Sequence, residues 1–336
     1  MNLVQELHNN PFVLAPMAGI TDNAFRSFMK EMGCGIVISE LISANGLNYG
    51  SQKTIDLMKF EKIQSPVGIQ LFGETPEIVA EGAKFVQDKG ADFVDLNFGC
   101  PVKKVVCKGA GSAMLKDLDG LAKMLSVVKK AIQIPLTIKV RTGWDANTRN
   151  TQEVARIAYE EGITWMAIHG RTRTQGYEGL ADWDYIAEVK AKAKLPIIGN
   201  GDIHTAAQAV ERLTTSGCDA VMIGRGCLKN PWIFRQALNL HKKQNERTDK
   251  NFIELINLLN VYLQKDCEEK VIGVQLKKFS SWFSAGYPGS AQFRKDVFQQ
   301  KDSKEILNHV ETYFSSIAHL TQTDTSAERF LMGGHG

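Results

Sequence analysis

The run Asn97-Phe98-Gly99-Cys100-Pro101-Val102-Lys103-Lys104, continuing to Gly109-Ala110-Gly111-Ser112, gathers a thiol, several ammonium groups and turn-forming residues in one short stretch. The residues before it, Asp92-Phe93-Val94-Asp95-Leu96, have strand character, and Gly-Cys-Pro continues neither a strand nor a helix. Cys100 is therefore presented at a strand end. Such a thiol is either a nucleophile or a buried structural cysteine in a Gly/Pro turn, and the stretch alone leaves both readings open.

Other residues able to do chemistry share that placement. Lys139 lies in Thr137-Ile138-Lys139-Val140-Arg141, flanked by β-branched residues. An inward lysine there requires an anionic partner, and a bound anion answers that requirement. His169 follows Met166-Ala167-Ile168 and precedes Gly170-Arg171-Thr172-Arg173. Its position beside two arginines makes it a candidate ligand contact, with a structural role as the alternative. Gly199-Asn200-Gly201-Asp202 and Gly224-Arg225-Gly226 are candidate phosphate turns, because glycine lets backbone N–H groups approach an anion closely and Arg225 adds charge. Ordinary turn glycines are the plainer reading. The Gly-rich loop 171–182, with Tyr177 in it and Trp183 next to it, is long enough to cover a substrate.

The elements that must position these residues recur with a period. Short β-rich runs at 12–15, 35–39, 67–71, 93–96, 136–140, 165–168, 197–199 and 220–223 alternate with helical patterns such as 76–89, 118–132, 151–161 and 205–214. Eight such units in about 240 residues fit a (β/α)8 TIM barrel, since parallel strands need helical crossovers. A doubly wound open sheet is the competing fold. The barrel is favoured because strand-end polar residues then converge on one mouth, and because Ala15-Pro16-Met17-Ala18-Gly19 after the first strand is not a GxGxxG turn.

With 336 residues, 43% hydrophobic and 23% charged, the chain can bury a large core and one smaller region besides. No apolar run approaches the roughly 20 residues that span a bilayer, and the N-terminus has no basic region followed by an apolar core. A cytoplasmic protein with no membrane partner is expected. Six cysteines occur without CxxC or Cys/His clusters, so neither a disulfide framework nor a metal site is expected. A net charge of +3 does not by itself mark a nucleic-acid binder.

After about residue 240 the strands end. Segments 252–264, 265–279 and 303–320 read as helices, broken at Gly286-Tyr287-Pro288-Gly289. Residues 271–301 carry Lys277, Lys278, Arg294, Lys295 and Lys301 against one acid, Asp296, interleaved with Phe279, Trp282, Phe283, Tyr287 and Phe293. That composition suits either RNA binding by charge and stacking or a solvated face over a helical core. The expected organisation is a barrel over 1–240, an all-helical domain over 241–320 and a disordered tail over 321–336.

Taken together, Ala15 to Asp22, Gln70-Leu71-Phe72-Gly73, the Asn97 to Ser112 loop, Lys139 to Trp144, His169 to Arg173, Gly199 to Asp202 and Met222 to Gly226 resemble the tRNA-dihydrouridine synthases, most of all the bacterial B type. The motifs stand in that family's order across residues 10–235. The resemblance implies an FMN-containing barrel with a helical tRNA-binding domain, acting as a monomer. Its reaction would reduce the C5–C6 double bond of D-loop uridines at the expense of NADPH or NADH.

Carried over by position, the resemblance puts FMN against Pro16, Met17 and Ala18, with Gln70, Lys139 and His169 at or near the ring. Asn200, Gly201, Asp202, Gly224 and Arg225 match the ribityl and phosphate site, Cys100 the proton donor to C5, and Asn97 and Arg171 positions that touch flavin or uracil. Lys103, Lys104, Lys277 and Lys278 become candidate tRNA contacts. The chain departs from the pattern at Lys277-Lys278-Phe279, where an Arg-Lys-His run is expected. A barrel flavoenzyme acting on a free pyrimidine, similar to the dihydroorotate dehydrogenases, is the alternative, and an RNA-binding barrel without redox activity a third reading.

Overall fold

Runs of Val, Ile, Leu and Phe buried on both faces form parallel strands because helical crossovers cover their outer side. The computed structural model describes residues 2–244, 251–320 and 322–323. It places β1 at Phe12–Leu14, β2 at Val37–Ser43, β3 at Val67–Phe72, β4 at Phe93–Phe98, β5 at Leu136–Arg141, β6 at Met166–His169, β7 at Ile197–Asn200 and β8 at Ala220–Ile223. Every neighbouring pair is parallel, in the order β2 to β8 and back to β1. The ring closes through a bridge between Val13 and Ile36, where the Leu14 N–H donates to the Ile36 carbonyl at 2.9 Å. The expected TIM barrel is the observed fold.

Side chains alternate across a strand, so every second residue of β4 and β5 shares the barrel interior. Toward the bottom that interior is apolar. Phe93 and Trp165 meet edge to face at 5.0 Å, and Leu3 and Leu7 of the helix Leu3–Asn9 join the same cluster. Gly68 of β3 makes room for Phe93, since a Cβ there would lie 2.2 Å from the ring. One and two steps further along the strands the interior turns polar: Asp95 and Asn97 follow Phe93, Lys139 and Arg141 follow Thr137, and His169 follows Ala167. The periodicity that packs the base thus also sets the chemistry of the mouth.

β2 runs four residues beyond its expected end because a register irregularity between Ile38 and Leu41 lets pairing with β3 resume as far as Ser43. The later helices are Phe252–Asp266, Glu269–Phe283, Ser290–Val297 and Ser303–Ile317. The first two pack on the barrel helix Asn23–Glu31, where Phe25 stacks on Phe279 at 4.9 Å and the Tyr262 hydroxyl donates to Glu31 at 2.8 Å, and the last two pack on them. One apolar core runs continuously from the outer layer of the barrel into these helices. Apart from 322 and 323, the tail expected to be disordered lies outside the described residues. No helix among the described residues is long and apolar enough to cross a membrane.

Candidate active site

The C-terminal ends of the strands surround a cleft, open to solvent, lined by Pro16, Met17, Lys139, His169, Asn200, Gly201, Asp202, Gly224 and Arg225, with Tyr177 at its edge. Gly224 sits in contact range of Ala15 and Met17, where a Cβ would lie 3.6 Å from each side chain. At Gly201 the backbone has φ +134°, and a Cβ would fall 2.4 Å from that of Ala181, so the chain needs glycine there.

Lys139 reaches this cleft from β5. Its Nζ donates to the Asn200 Oδ1 at 3.2 Å, and the Asn200 amide donates in turn to the Met222 carbonyl at 2.7 Å. No carboxylate lies within ion-pair distance of Lys139 among the described residues. Burial, with Arg141 nearby, pulls its ammonium down to about 8, while Asp95 and Cys100 oppose the shift. Asp95 acts on this cation only at longer range, which leaves its cleft-facing end without a directly bonded anion.

His169 is surrounded by positive charge. Burial first, then Arg141, Lys139, Arg171 and Arg225, push its pKa well below the usual value, so the ring is neutral at neutral pH. An Arg171 N–H 3.4 Å from Nε2 is a donor, which makes Nε2 the acceptor and leaves the ring proton on Nδ1. Arg171 itself is buried and committed to the loop that follows it. It donates to the carbonyls of Glu178 and Gly179 and to the Asp202 carboxylate, at 3.2, 2.6 and 2.8 Å. Asp202, in the left-handed region at φ +50°, also accepts from the Ala181 N–H at 2.7 Å and lies 3.7 Å from Arg225. Its carboxylate orients two guanidinium groups, and Arg225 further packs over Tyr177 at 4.8 Å.

The Cys100 loop is fastened on three sides. The Asn97 Oδ1 accepts the N–H groups of Gly99 and Cys100 at 3.2 and 2.8 Å, and the Ser112 hydroxyl donates to the Cys100 carbonyl at 2.9 Å. Arg141 donates to the carbonyls of Gly99, Thr172 and Gly176 at 2.9, 2.8 and 2.7 Å, tying this loop to the one after β6. Burial raises the Cys100 thiol above its ordinary pKa, against smaller opposing effects of the Val102 N–H, Arg141 and Lys139. The side chain is half-buried and protonated at neutral pH.

Gln70 and Asn97 lie together below this loop, joined by a 2.9 Å hydrogen bond, and Gln70 rests on the buried carboxylate of Asp95 at 2.7 Å. Lys103 and Lys104 are exposed on the short helix Lys103–Val106 beyond Cys100. Lys277 and Lys278 are far from Cys100 in sequence and both face protein carbonyls. Lys277 donates to Gln300 at 2.6 Å, beyond the end of helix Ser290–Val297, and Lys278 donates to Gly19 of the barrel at 2.6 Å. The aromatic residues beside them decide between the two readings of this segment, in favour of a face over a helical core. Phe279, Phe283, Tyr287 and Phe293 are buried in a cluster with Phe252 and Phe314, because helices of this length need that apolar face to pack. Asp95 and the clasp made by Arg141 escaped the sequence reading. The usable signal was a carboxylate inside an apolar strand, which must have a partner.

The Dihydrouridine synthase (Dus) family model matches residues 13–318. A probable tRNA-dihydrouridine synthase of Rickettsia conorii is 37% identical over 316 residues, 93% of this chain and 95% of that protein. A tRNA-dihydrouridine synthase B of Xanthomonas campestris is 36% identical, covering 91% and 93% of the two chains. Among solved structures, 6-hydroxypseudooxynicotine amine oxidase of Pseudomonas geniculata N1 superposes with a TM-score of 0.54 at 13% identity, over 70% of this chain and 48% of that one. At that identity it is a likeness of fold.

Proposed function

The chain belongs to the dihydrouridine synthase family, and from that premise we propose that its barrel mouth binds FMN and reduces a D-loop uridine of tRNA, with NADPH or NADH as reductant. The observation that carries this reading is Lys139, an ammonium that reaches the cleft at the barrel mouth with no carboxylate in ion-pair contact, within electrostatic reach of a thiol kept protonated.

The residues present fit the flavin. Pro16 and Met17 line one wall of the cleft, with Ala18 next to them in the same loop, and Lys139 offers charge to a ring that is anionic when reduced. Gly201, Gly224 and Arg225 offer close backbone approach and a cation to the phosphate, with Asn200 and Asp202 holding Lys139 and Arg225 in place. When bound, FMN supplies the hydride that C6 of the uracil ring takes up. Cys100 supplies the proton at C5, which makes it a general acid, and its raised thiol pKa keeps that proton available. Asn97 and the neutral His169 are hydrogen-bonding groups for the pyrimidine or flavin edge, while Arg171 holds the loop over them.

A uridine must leave its stack to reach the cleft, at a cost of a few kcal/mol. We assign the offsetting phosphate contacts to the exposed Lys103 and Lys104, and to the helical segment 241–320 as a tRNA-binding domain through exposed residues such as Lys295 and Lys301. The test is to incubate the purified chain with FMN, unmodified tRNA and either NADPH or NADH, then quantify dihydrouridine by mass spectrometry of nucleosides. Dihydrouridine in tRNA and none from free uridine is expected. A colourless protein that takes up no FMN overturns the reading.

A further inference from the structure

The polar chain under Cys100 has an acceptor at one end and donors at the other. Asp95, fully buried on β4, accepts from the Gln70 amide at 2.7 Å and from the Thr137 hydroxyl at 2.6 Å. The Gln70 carbonyl accepts from the Asn97 amide at 2.9 Å, and the Asn97 carbonyl accepts the backbone N–H groups of Cys100 and Gly99. The orientation of both amides is chemically forced. An ionised carboxylate only accepts, so Gln70 must turn its NH2 group toward Asp95 and its carbonyl toward Asn97. Backbone N–H groups only donate, so Asn97 must turn its carbonyl toward Cys100. Reversing either amide sets like groups against each other at both of its contacts.

We infer that Asp95 is a positioning residue for the proton transfer: its carboxylate accepts the far end of a chain whose polarity the backbone N–H groups set at the near end, and through Gln70 and Asn97 it anchors the backbone that presents the Cys100 thiol. The inference rests on the proposed role of Cys100 as the acid. Burial raises the Asp95 carboxyl to about 6, against the pull of Gln70, Thr137 and Lys139, so it is ionised at neutral pH and the chain is set.

The test compares Asp95→Asn, which keeps an acceptor oxygen for Gln70, with Asp95→Leu, which removes it. Both are made in a Cys107→Ser, Cys267→Ser background, because those two thiols are exposed and half-buried and would compete for reagent. The first readout is the rate of Cys100 alkylation by iodoacetamide in the apoprotein; the second is turnover on tRNA. Asp95→Asn is expected to stay near the parent in both. Asp95→Leu is expected to shift the alkylation rate about tenfold and to lower kcat about 100-fold, with KM for tRNA unchanged, the scale of a misplaced reacting group.

Equal behaviour of the two variants, or parent-like alkylation in folded Asp95→Leu, overturns the proposal. If Asp95→Leu does not fold, Gln70→Met breaks the same chain one link nearer Cys100 and carries the same alkylation shift; parent-like alkylation there overturns it equally. Apoprotein alkylation needs neither FMN nor tRNA, so a chain that makes no dihydrouridine would leave this readout intact.

Discussion

Lys278, on the helix Glu269–Phe283, donates to the carbonyl of Gly19 at 2.6 Å, while Glu40 from the middle of β2 accepts the N–H of the same glycine. Gly19 has φ +70° and closes the loop that carries Pro16 and Met17 into the cleft. A residue of the helical segment thus helps hold the wall of the barrel's site.

Replacing Lys278 with Met tests that link. A charged hydrogen bond is worth about 1.5–3 kcal/mol. Lys278→Met is therefore expected to weaken FMN binding about tenfold in the absence of tRNA, with little dependence on salt. Fluorescence titration of FMN at two ionic strengths measures this. Unchanged FMN affinity with a salt-dependent loss of tRNA affinity would return Lys278 to a simple phosphate contact.

Cys100→Ala removes the proposed acid without touching the bonds that hold its backbone, since those run through the N–H and carbonyl of the residue. Dihydrouridine formation should fall by roughly 100-fold or more, the scale of a lost general acid, with FMN affinity within about twofold of the parent. Single-turnover measurement on pre-reduced enzyme isolates the step. Turnover equal to the parent would remove Cys100 from the mechanism.

Arg141 connects two loops through three carbonyls, and lysine cannot reproduce the fork that reaches all of them. Arg141→Lys should lower stability by about 2–3 kcal/mol, because carbonyls of Gly99, Thr172 and Gly176 lose their donor in a largely buried setting. Urea denaturation of the apoprotein gives the value. A change under about 0.5 kcal/mol would mean that the loops keep each other in place without it.

The barrel was legible because parallel strands buried on both faces leave apolar runs that no other element produces at this spacing, and all eight runs are strands. The strand-end residues were legible for the same reason, through period-two alternation. Asp95 was not, because its partners Gln70 and Thr137 come from neighbouring strands 25 and 42 residues away, and only the pairing of β4 with β3 and β5 brings them together. Composition left two readings open at Phe279 and Phe283, a stacking surface or a face over a helical core. Helical spacing turns those rings inward and the ammonium groups of Lys277 and Lys278 onto carbonyls. The helix Ser290–Val297 was missed because only Phe293 and Val297 of its eight residues are buried, too short a stripe to show a period.

Lys139 makes the protonation of the site measurable without turnover. Its ammonium titrates at about 8 in the folded chain and at 10.5 in its ordinary state. Between those values the unfolded chain binds the proton and the folded chain does not, so stability attributable to Lys139 rises as pH climbs from about 8 to about 10.5 and is at its lowest below pH 8. Removing the buried charge with Lys139→Met should therefore stabilise the apoprotein at pH 7, by at most about 3 kcal/mol, and that gain should shrink as pH rises through this window. The same substitution should lower affinity for reduced FMN at pH 7, because the ammonium then has no replacement facing the anionic ring. In the parent, affinity for reduced FMN should weaken above pH 8 by up to about tenfold per unit, with proton uptake on binding that the variant lacks. Calorimetry of binding in two buffers of different ionisation enthalpy measures the uptake. A pH-independent stability difference, together with no proton uptake at pH 8.5, would show that Lys139 keeps its charge by other means and is not poised for an anion.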